Sequence, residues 1–130
     1  MKYQYPAVFT YDDDAILVDF PGLDGCYTDG SDEKEAFENA EDVLNLELMS
    51  RENHGEPIPA PVDIRSLPMP VHGFIGMITA DTTAYRKKVD TKTVRKNVSI
   101  PSWLNQLAVE HNINFSNVLQ NALLRELHAV

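Results

Sequence analysis

The sequence predicts an α+β protein in two parts: a β-β-β-α-β domain at the front, then a short strand and two helices at the back. Three observations support this prediction. Alternating apolar and polar residues near the start are typical of strands, and one long amphipathic pattern beginning near Ser31 is typical of a helix. A third, seven-residue alternating segment ends at Pro101 and is followed by two shorter helical patterns.

The front begins with a predicted β-hairpin. Its first strand alternates between two sets, Tyr3, Tyr5, Ala7, Phe9 and Tyr11 against Gln4, Pro6, Val8 and Thr10. A proline within such a run favours a strand start or a sheet edge. Asp12 to Asp14 then predict a turn, and Ala15 to Phe20 a returning strand. After the turn residues from Pro21 to Gly25, Cys26 to Thr28 predict a short third strand.

A long helix follows the third strand. Asp32 and Glu35 have the spacing of a capping box. The helix is expected to run to about Glu52 with one apolar face: Ala36, Ala40, Val43, Leu44 and Leu48. Glu56 to Pro70 contains five of the eight prolines, which predicts an extended connection. Phe74 to Ala80 predicts another strand, and the hydrophilic stretch 81–91 a linker.

The back of the chain, residues 92–130, is too small to bury a core alone. In its predicted strand, Val94, Lys96, Val98 and Ile100 share one face, and Arg95, Asn97 and Ser99 share the other. Two copies could pair these strands into a ribbon over four helices, giving a homodimer. A two-stranded ribbon fits the DNA major groove, where Arg can grip guanine and Asn can grip adenine. The sequence therefore predicts that Arg95, Asn97 and Ser99 read bases.

The helices of the back part are predicted from spacing. Pro101 suits a first helical turn, and Leu104, Leu107 and Ala108 follow it, with Trp103 expected in the dimer core. The second helix opens near Asn114 or Ser116 and carries Leu119, Ala122, Leu123 and Leu127 on one stripe. Its N-terminal amides would attract a phosphate. The expected phosphate contacts are therefore Lys92, Lys96, Asn114 and Ser116. A plain β-α-α dimerisation tail without DNA contact is the alternative.

The charge divides between the same two parts. Residues 1–90 contain 18 acidic and 7 basic residues, a net charge of −11, whereas residues 91–130 carry +2. DNA binding depends largely on phosphate neutralisation, so only the back suits DNA. An acidic front favours a basic protein partner, although acidic surfaces also serve solubility.

Composition limits the cellular setting. No apolar run is long enough for a membrane span, and the first residues lack the apolar centre of a signal peptide. The lone Cys26 excludes an intramolecular disulfide and fits a reducing cytoplasm.

Catalytic and metal chemistry have weak support in the sequence. Asp12, Asp13 and Asp14 are ordinary turn residues, and Asp19 has no evident carboxylate partner for a two-metal nuclease. Four scattered histidines, His54, His72, His111 and His128, lack the spacing of a zinc site. Cys26 has no arguable histidine partner for nucleophilic catalysis. We therefore expect no enzyme activity, no metal and no cofactor.

The front contains, in this order, the segments Tyr5 to Phe9, Val18 to Cys26, Thr28 to Gly30, Glu35-Ala36 and Pro57 to Pro61. Together these segments resemble the N-terminal domain of HicB-type antitoxins. The resemblance implies a partial RNase H-like β-β-β-α-β domain over residues 1–80. The back, with one strand before Pro101 and two helices after it, resembles the ribbon-helix-helix variant of the family.

The resemblance implies a function with two partners. The front would bind and block a small basic ribonuclease toxin of the HicA type, and the back would bind operator DNA and repress the operon. The toxin-contacting residues, and any oligomer beyond the dimer, are left open. A DNA-binding regulator with a sensory or assembly front domain and no toxin partner is the second reading.

Overall fold

The computed structural model describes residues 1–128 and divides the chain into two compact units. The front unit is Met1–Thr91, and the back unit is Lys92–Val130. The front unit contains β1 (Lys2–Asp12), β2 (Ala15–Asp19), β3 (Tyr27–Gly30), α1 (Glu33–His54), β4 (Gly73–Asp81) and α2 (Thr82–Val89). The back unit contains α3 (Ser102–Glu110) and α4 (Phe115–Glu126). The predicted mixed α/β architecture is confirmed, with β-β-β-α-β as the order of its first five elements.

The four strands form one antiparallel sheet in the order β3-β2-β1-β4. The hairpin between β1 and β2 closes at Asp13, whose φ of 50° is left-handed. Aspartate tolerates this conformation better than most residues. The turn predicted from the three consecutive aspartates is therefore present.

Pro6 differs from its expected place at a strand start or a sheet edge. It lies inside β1, which has a neighbour on each side, and faces Met77 of β4. The pairing of β1 with β2 begins only at Val8. Pro6 therefore occupies a part of β1 that β2 does not reach, where a missing amide breaks no bond to that strand.

Helix α1 begins as the capping pattern predicts. The Asp32 carboxylate accepts the Glu35 amide at 2.8 Å, and the Glu35 side chain accepts the Ser31 amide at 3.2 Å. The reciprocal bond of the capping box thus goes one residue further back than usual. The helix ends at Gly55, which has a φ of 64° and donates its amide to the last turn.

The core of the front unit lies between α1 and one face of the sheet. Alternate residues of β1, β2 and β4 point into it, and α1 closes it with small and branched side chains. The buried members from these elements are Tyr5, Ala7, Phe9, Ile16, Val18, Ile78, Ala80, Ala36, Ala40, Leu44 and Leu48. Of the face predicted for α1, only Val43 is partly exposed. Phe9 also stacks on Phe74 at a centroid distance of 4.7 Å.

The proline-rich connection after α1 follows the body of the front unit without forming a strand. Tyr5 donates its hydroxyl to the Pro59 carbonyl, and Arg51 donates to the Pro57 carbonyl at 3.0 Å. Ile58 packs against the core. A single 3-10 turn, Ile64–Ser66, interrupts the extended path.

The structure differs from the sequence prediction at residues 81–91, which were expected to be a linker. Most of this stretch forms α2, which begins at an Asp81 cap whose carboxylate accepts the Ala84 amide at 3.1 Å. Arg86 of α2 contacts Glu52 of α1 at 3.0 Å. This ion pair joins residues 34 positions apart, so the contact that holds the helix against α1 is not visible in the local sequence, and the Asp81 cap is the local signal.

Residues 92–128 of the back unit contain the two predicted helices but no strand. Residues 90–101 have no regular secondary structure. Because a strand requires a hydrogen-bonded neighbour, the ribbon at 94–100 stays a prediction that depends on pairing with a second copy.

Candidate functional site

The residues expected to read DNA lie along one segment of the back unit. Arg95, Asn97 and Ser99 occupy alternate positions, and all three are exposed. Lys96 is exposed in the same segment, and Lys92 is exposed at its beginning. The structure therefore brings five of the seven predicted DNA contacts into one accessible stretch.

The apolar residues of that segment are also exposed. Val94 and Val98 expose 74% and 66% of their surface, and Ile100 is exposed too. Water-facing β-branched residues in a regular alternation are unfavourable unless a partner covers them. Their exposure indicates that the segment is incomplete as a single chain.

The helices of the back unit repeat this finding. None of the residues 92–128 is buried, and only Ala108 and Leu124 are half-buried. Apart from Ala108, the predicted apolar positions of both helices are exposed: Trp103, Leu104, Leu107, Leu119, Ala122, Leu123 and Leu127. Two helices of 9 and 12 residues are too short to be stable alone in water. The back unit therefore has the apolar residues of a core but does not bury them within one chain.

The two remaining predicted phosphate contacts lie at the start of α4. Asn114 is the N-cap, and its side-chain oxygen accepts the Asn117 amide at 3.1 Å. Ser116 lies in the first turn and is exposed. The first turn of a helix presents amides that have no acceptor within the helix, and the helix dipole adds positive potential there. Of the two caps considered from sequence, Asn114 is the one used.

The front unit has a second candidate surface, on the face of its sheet opposite α1. Three strands contribute alternate residues to one shallow depression of about 530 Å³. Its outward side chains are Val8, Thr10, Leu17, Asp19, Tyr27 and Asp29. We call this set the open sheet face. The alternation in β1 is visible in the sequence, but nothing in the sequence indicates a function for this side of the sheet.

A polar network around Glu52 joins β1, α1 and α2 of the front unit. The Glu52 carboxylate accepts hydrogen bonds from Tyr3 at 2.7 Å, from Thr82 at 3.1 Å and from Arg86 at 3.0 Å. Partial burial raises the pKa of Glu52, but the hydrogen bonds from Tyr3, Arg86 and Thr82 outweigh it, so the pKa is lowered overall. Burial and the bond to Glu52 raise the pKa of Tyr3 to about 12. This network fixes β1, α1 and α2 together.

The residues considered for catalysis do not come together in a catalytic arrangement. Asp13 and Asp14 occupy the hairpin turn, and Asp19 is exposed at the end of β2. Cys26 is buried, and burial raises its pKa to about 12. Because the thiolate is the reactive form, Cys26 is a poor nucleophile. Within residues 1–128, no three His, Cys, Asp or Glu side chains are grouped as metal ligands. None of the helices in that range is both long and apolar enough to cross a lipid bilayer.

These features are those of a regulatory binding protein, with an acidic folded unit and a back unit that lacks its own core. The model of the family described as "HicB_like antitoxin of bacterial toxin-antitoxin system" matches residues 5–122. The chain therefore belongs to the HicB-like antitoxin family, whose members are regulators and not enzymes.

Similar proteins agree with this assignment. A chain of the structure titled "Toxin-Antitoxin complex from Streptococcus pneumoniae" is 26% identical with a TM-score of 0.63, covering 97% of this chain and 99% of that one. A chain of "HicA3 and HicB3 toxin-antitoxin complex" is also 26% identical, with a TM-score of 0.51, over 61% of this chain and 99% of that one.

Two further relatives are similar in sequence or fold. The UPF0150 protein Ta0767 of Thermoplasma acidophilum is 35% identical over 57 residues, which are 43% of this chain and 83% of that protein. The antitoxin HicB of Burkholderia pseudomallei shares the fold, with 19% identity and a TM-score of 0.55 over 96% of this chain and 98% of that one.

Proposed function

We propose that this protein is an antitoxin that binds and neutralises a HicA-type toxin and represses its own operon. The observation that carries this proposal is the match over 97% of the chain, at 26% identity, to a chain of a toxin–antitoxin complex. Membership of the HicB-like antitoxin family supports the same role.

Toxin binding is assigned to the front unit. This unit has a complete core and a net charge of −11, from 18 acidic and 7 basic residues. A ribonuclease toxin must present positive charge to hold RNA, so an acidic partner competes for that surface and attracts it during encounter. A stable interface buries roughly 600–1,000 Å² on each partner. Neutralisation would then be steric and electrostatic, without a cofactor.

DNA binding is assigned to the back unit as a ribbon-helix-helix dimer. The exposed Val94, Val98 and Ile100 would cover the helices of both copies, and Arg95, Asn97 and Ser99 would face the major groove. Lys92, Lys96 and the start of α4, with Asn114 and Ser116, would contact phosphates. The twofold symmetry of the dimer predicts a palindromic operator. Residues 1–80 would form the partial RNase H-like domain, and we place the protein in the cytoplasm.

Co-expression with a HicA-type toxin tests the first half of this proposal. We expect the full chain to restore growth of toxin-expressing cells and to co-purify with the toxin. The front unit, residues 1–91, should do the same without the back unit, since it contains α2 and the complete core. Growth arrest that persists despite soluble, folded full-length protein would refute the toxin role.

A gel-shift titration with the promoter DNA of the operon tests the second half. We expect binding by the full chain and none by residues 1–91. Equal binding by both proteins would refute the assignment of DNA contact to the back unit.

A further inference from the structure

We propose that the open sheet face is the surface through which the front unit holds the toxin. Its occupant is a protein surface that presents Lys or Arg side chains around an apolar or aromatic centre. This inference rests on the proposed antitoxin function and adds the site and its chemistry.

The open sheet face is an ordered array and not a chance collection of exposed residues. In the strand register, Val8 pairs with Asp19, and Asp19 pairs with Tyr27. In the next row, Thr10 pairs with Leu17, and Leu17 pairs with Asp29. Because side chains directly opposite each other lie about 4.5–5.5 Å apart at Cβ, each row forms one continuous strip. The two carboxylates then lie diagonally on neighbouring strands.

The apolar members of the face, Leu17 and Tyr27, expose much of their surface to water. Tyr27 exposes 68% of its surface and Leu17 exposes 42%, while Ile16 and Val18 on the opposite side of β2 are buried. Tyrosine supplies a large, amphipathic contact at low entropic cost and is enriched at the energetic centres of interfaces. These two residues have the properties of an anchor for a partner.

The charged members of the face have no counter-charge of their own. Lys34, Arg51, Arg65 and Arg86 form ion pairs with other carboxylates, and neither Asp19 nor Asp29 is a partner in any of these pairs. Aspartate is also disfavoured in strands. Two unneutralised carboxylates beside an apolar centre match a partner with the opposite charge.

Other occupants fit less well. Nucleic acid is excluded by the charge of −11 on this unit. A second copy of the same face would place four carboxylates in one interface, because a twofold interface uses the same patch on both subunits. A basic protein satisfies both the apolar and the charged members.

The test measures binding of the purified full chain to a catalytically inactive HicA-type toxin by titration calorimetry. Tyr27→Ala should weaken binding about thirty-fold, as expected for an aromatic anchor. The double variant Asp19→Lys with Asp29→Lys should weaken it on the order of a hundred-fold and slow association most at low salt. The milder Asp19→Asn with Asp29→Asn pair keeps the side-chain shape and should give a smaller loss.

The matched control reverses two charges on α1, on the other side of the sheet. Glu38→Lys with Glu41→Lys changes the net charge by the same amount at exposed positions. It should reduce affinity by less than about five-fold, because only long-range attraction is lost. Thermal unfolding of every variant confirms that the fold is intact.

The outcomes separate the two proposals. Toxin binding by the unmodified chain with a selective loss in the sheet-face variants supports the inference. Binding that is unchanged in Tyr27→Ala and in both aspartate pairs, or that falls equally in the α1 control, overturns the site while the antitoxin function stands. If the unmodified chain fails to bind any HicA-type toxin, the proposed function itself is wrong, and this site falls with it.

Discussion

The two units of this chain differ in how they remove apolar surface from water. The front unit buries fourteen hydrophobic residues between α1 and the sheet, among them Phe9, Leu44 and Leu48. The back unit has several leucines and a tryptophan at helical spacing, yet none of its residues up to 128 is buried. Similar side chains thus form an internal core in the front unit and stay exposed in the back unit.

The difference follows from size and topology. A four-stranded sheet covered by a helix of 22 residues encloses an interior. Two short helices and an extended segment cannot, because too large a fraction of their surface stays exposed. If the back unit is the dimeric DNA-binding module proposed above, its folding is linked to its association.

The largest expected difference appears when the units are separated. Residues 1–91 should be a folded monomer that unfolds cooperatively at a temperature independent of protein concentration. Residues 92–130 should gain helical circular dichroism only as concentration rises, because folding requires association. A back fragment that is both fully helical and monomeric by sedimentation at low micromolar concentration would contradict this comparison.

A core substitution in the front unit is the next largest effect. Leu44→Ala should lower the free energy of unfolding by about 2–5 kcal/mol, because it leaves a cavity beneath the sheet. Leu46→Ala, two residues along the same helix but half-exposed, should change it by less than about 0.5 kcal/mol. Chemical denaturation of the front unit measures both variants.

Leu123→Ala in the full chain sharpens the comparison, with chemical denaturation and sedimentation as the measurements. We expect this back-unit variant to leave unfolding of the front unit unchanged but to weaken self-association of the full chain. A loss of front-unit stability in Leu123→Ala would show that the units do not fold independently.

DNA binding gives an intermediate effect. Arg95→Ala should reduce operator affinity by about 1–3 kcal/mol and relax base preference, whereas Lys96→Ala should weaken binding to many sequences evenly. Arg65→Ala removes an equal charge from the front unit and should leave operator affinity unchanged. Gel-shift titrations on operator and scrambled DNA measure all three, and an unaffected Arg95→Ala would disprove the assigned strand faces.

The smallest expected effect is the pH dependence of the front unit. Because the pKa of Glu52 is lowered in the folded state, its carboxylate contributes stability above its unfolded pKa of about 4.3. That contribution is lost as pH falls through the lower folded value. Glu52→Gln should therefore cost about 1–2 kcal/mol at neutral pH and make stability fall less steeply below about pH 4.5.

Glu56→Gln is the control for this prediction. It removes an equal charge from an exposed position just beyond the same helix. We expect little change in the unfolding free energy or its pH profile. An identical profile for both variants would mean that the network around Glu52 does not stabilise the front unit.

Most of the front unit was predictable because its signals are local. Alternation along β1, the turn at Asp13 and the cap at Asp32 each involve residues within a few positions of one another. Helix α2 was missed for the opposite reason: Arg86 is stabilised by Glu52, which lies 34 residues earlier. Pro6 was placed only partly, because its surroundings depend on where β2 begins to pair.

The candidate sites divide in the same way. The sequence by itself determined which residues of the back unit are polar and which are apolar, since strand and helix periods are intrinsic to the backbone. Only the tertiary structure decided that these apolar residues stay exposed, and that Leu17, Asp19, Tyr27 and Asp29 meet on one face of a sheet. Strand pairing joins segments far apart in the sequence, so a local pattern does not predict which strands become neighbours.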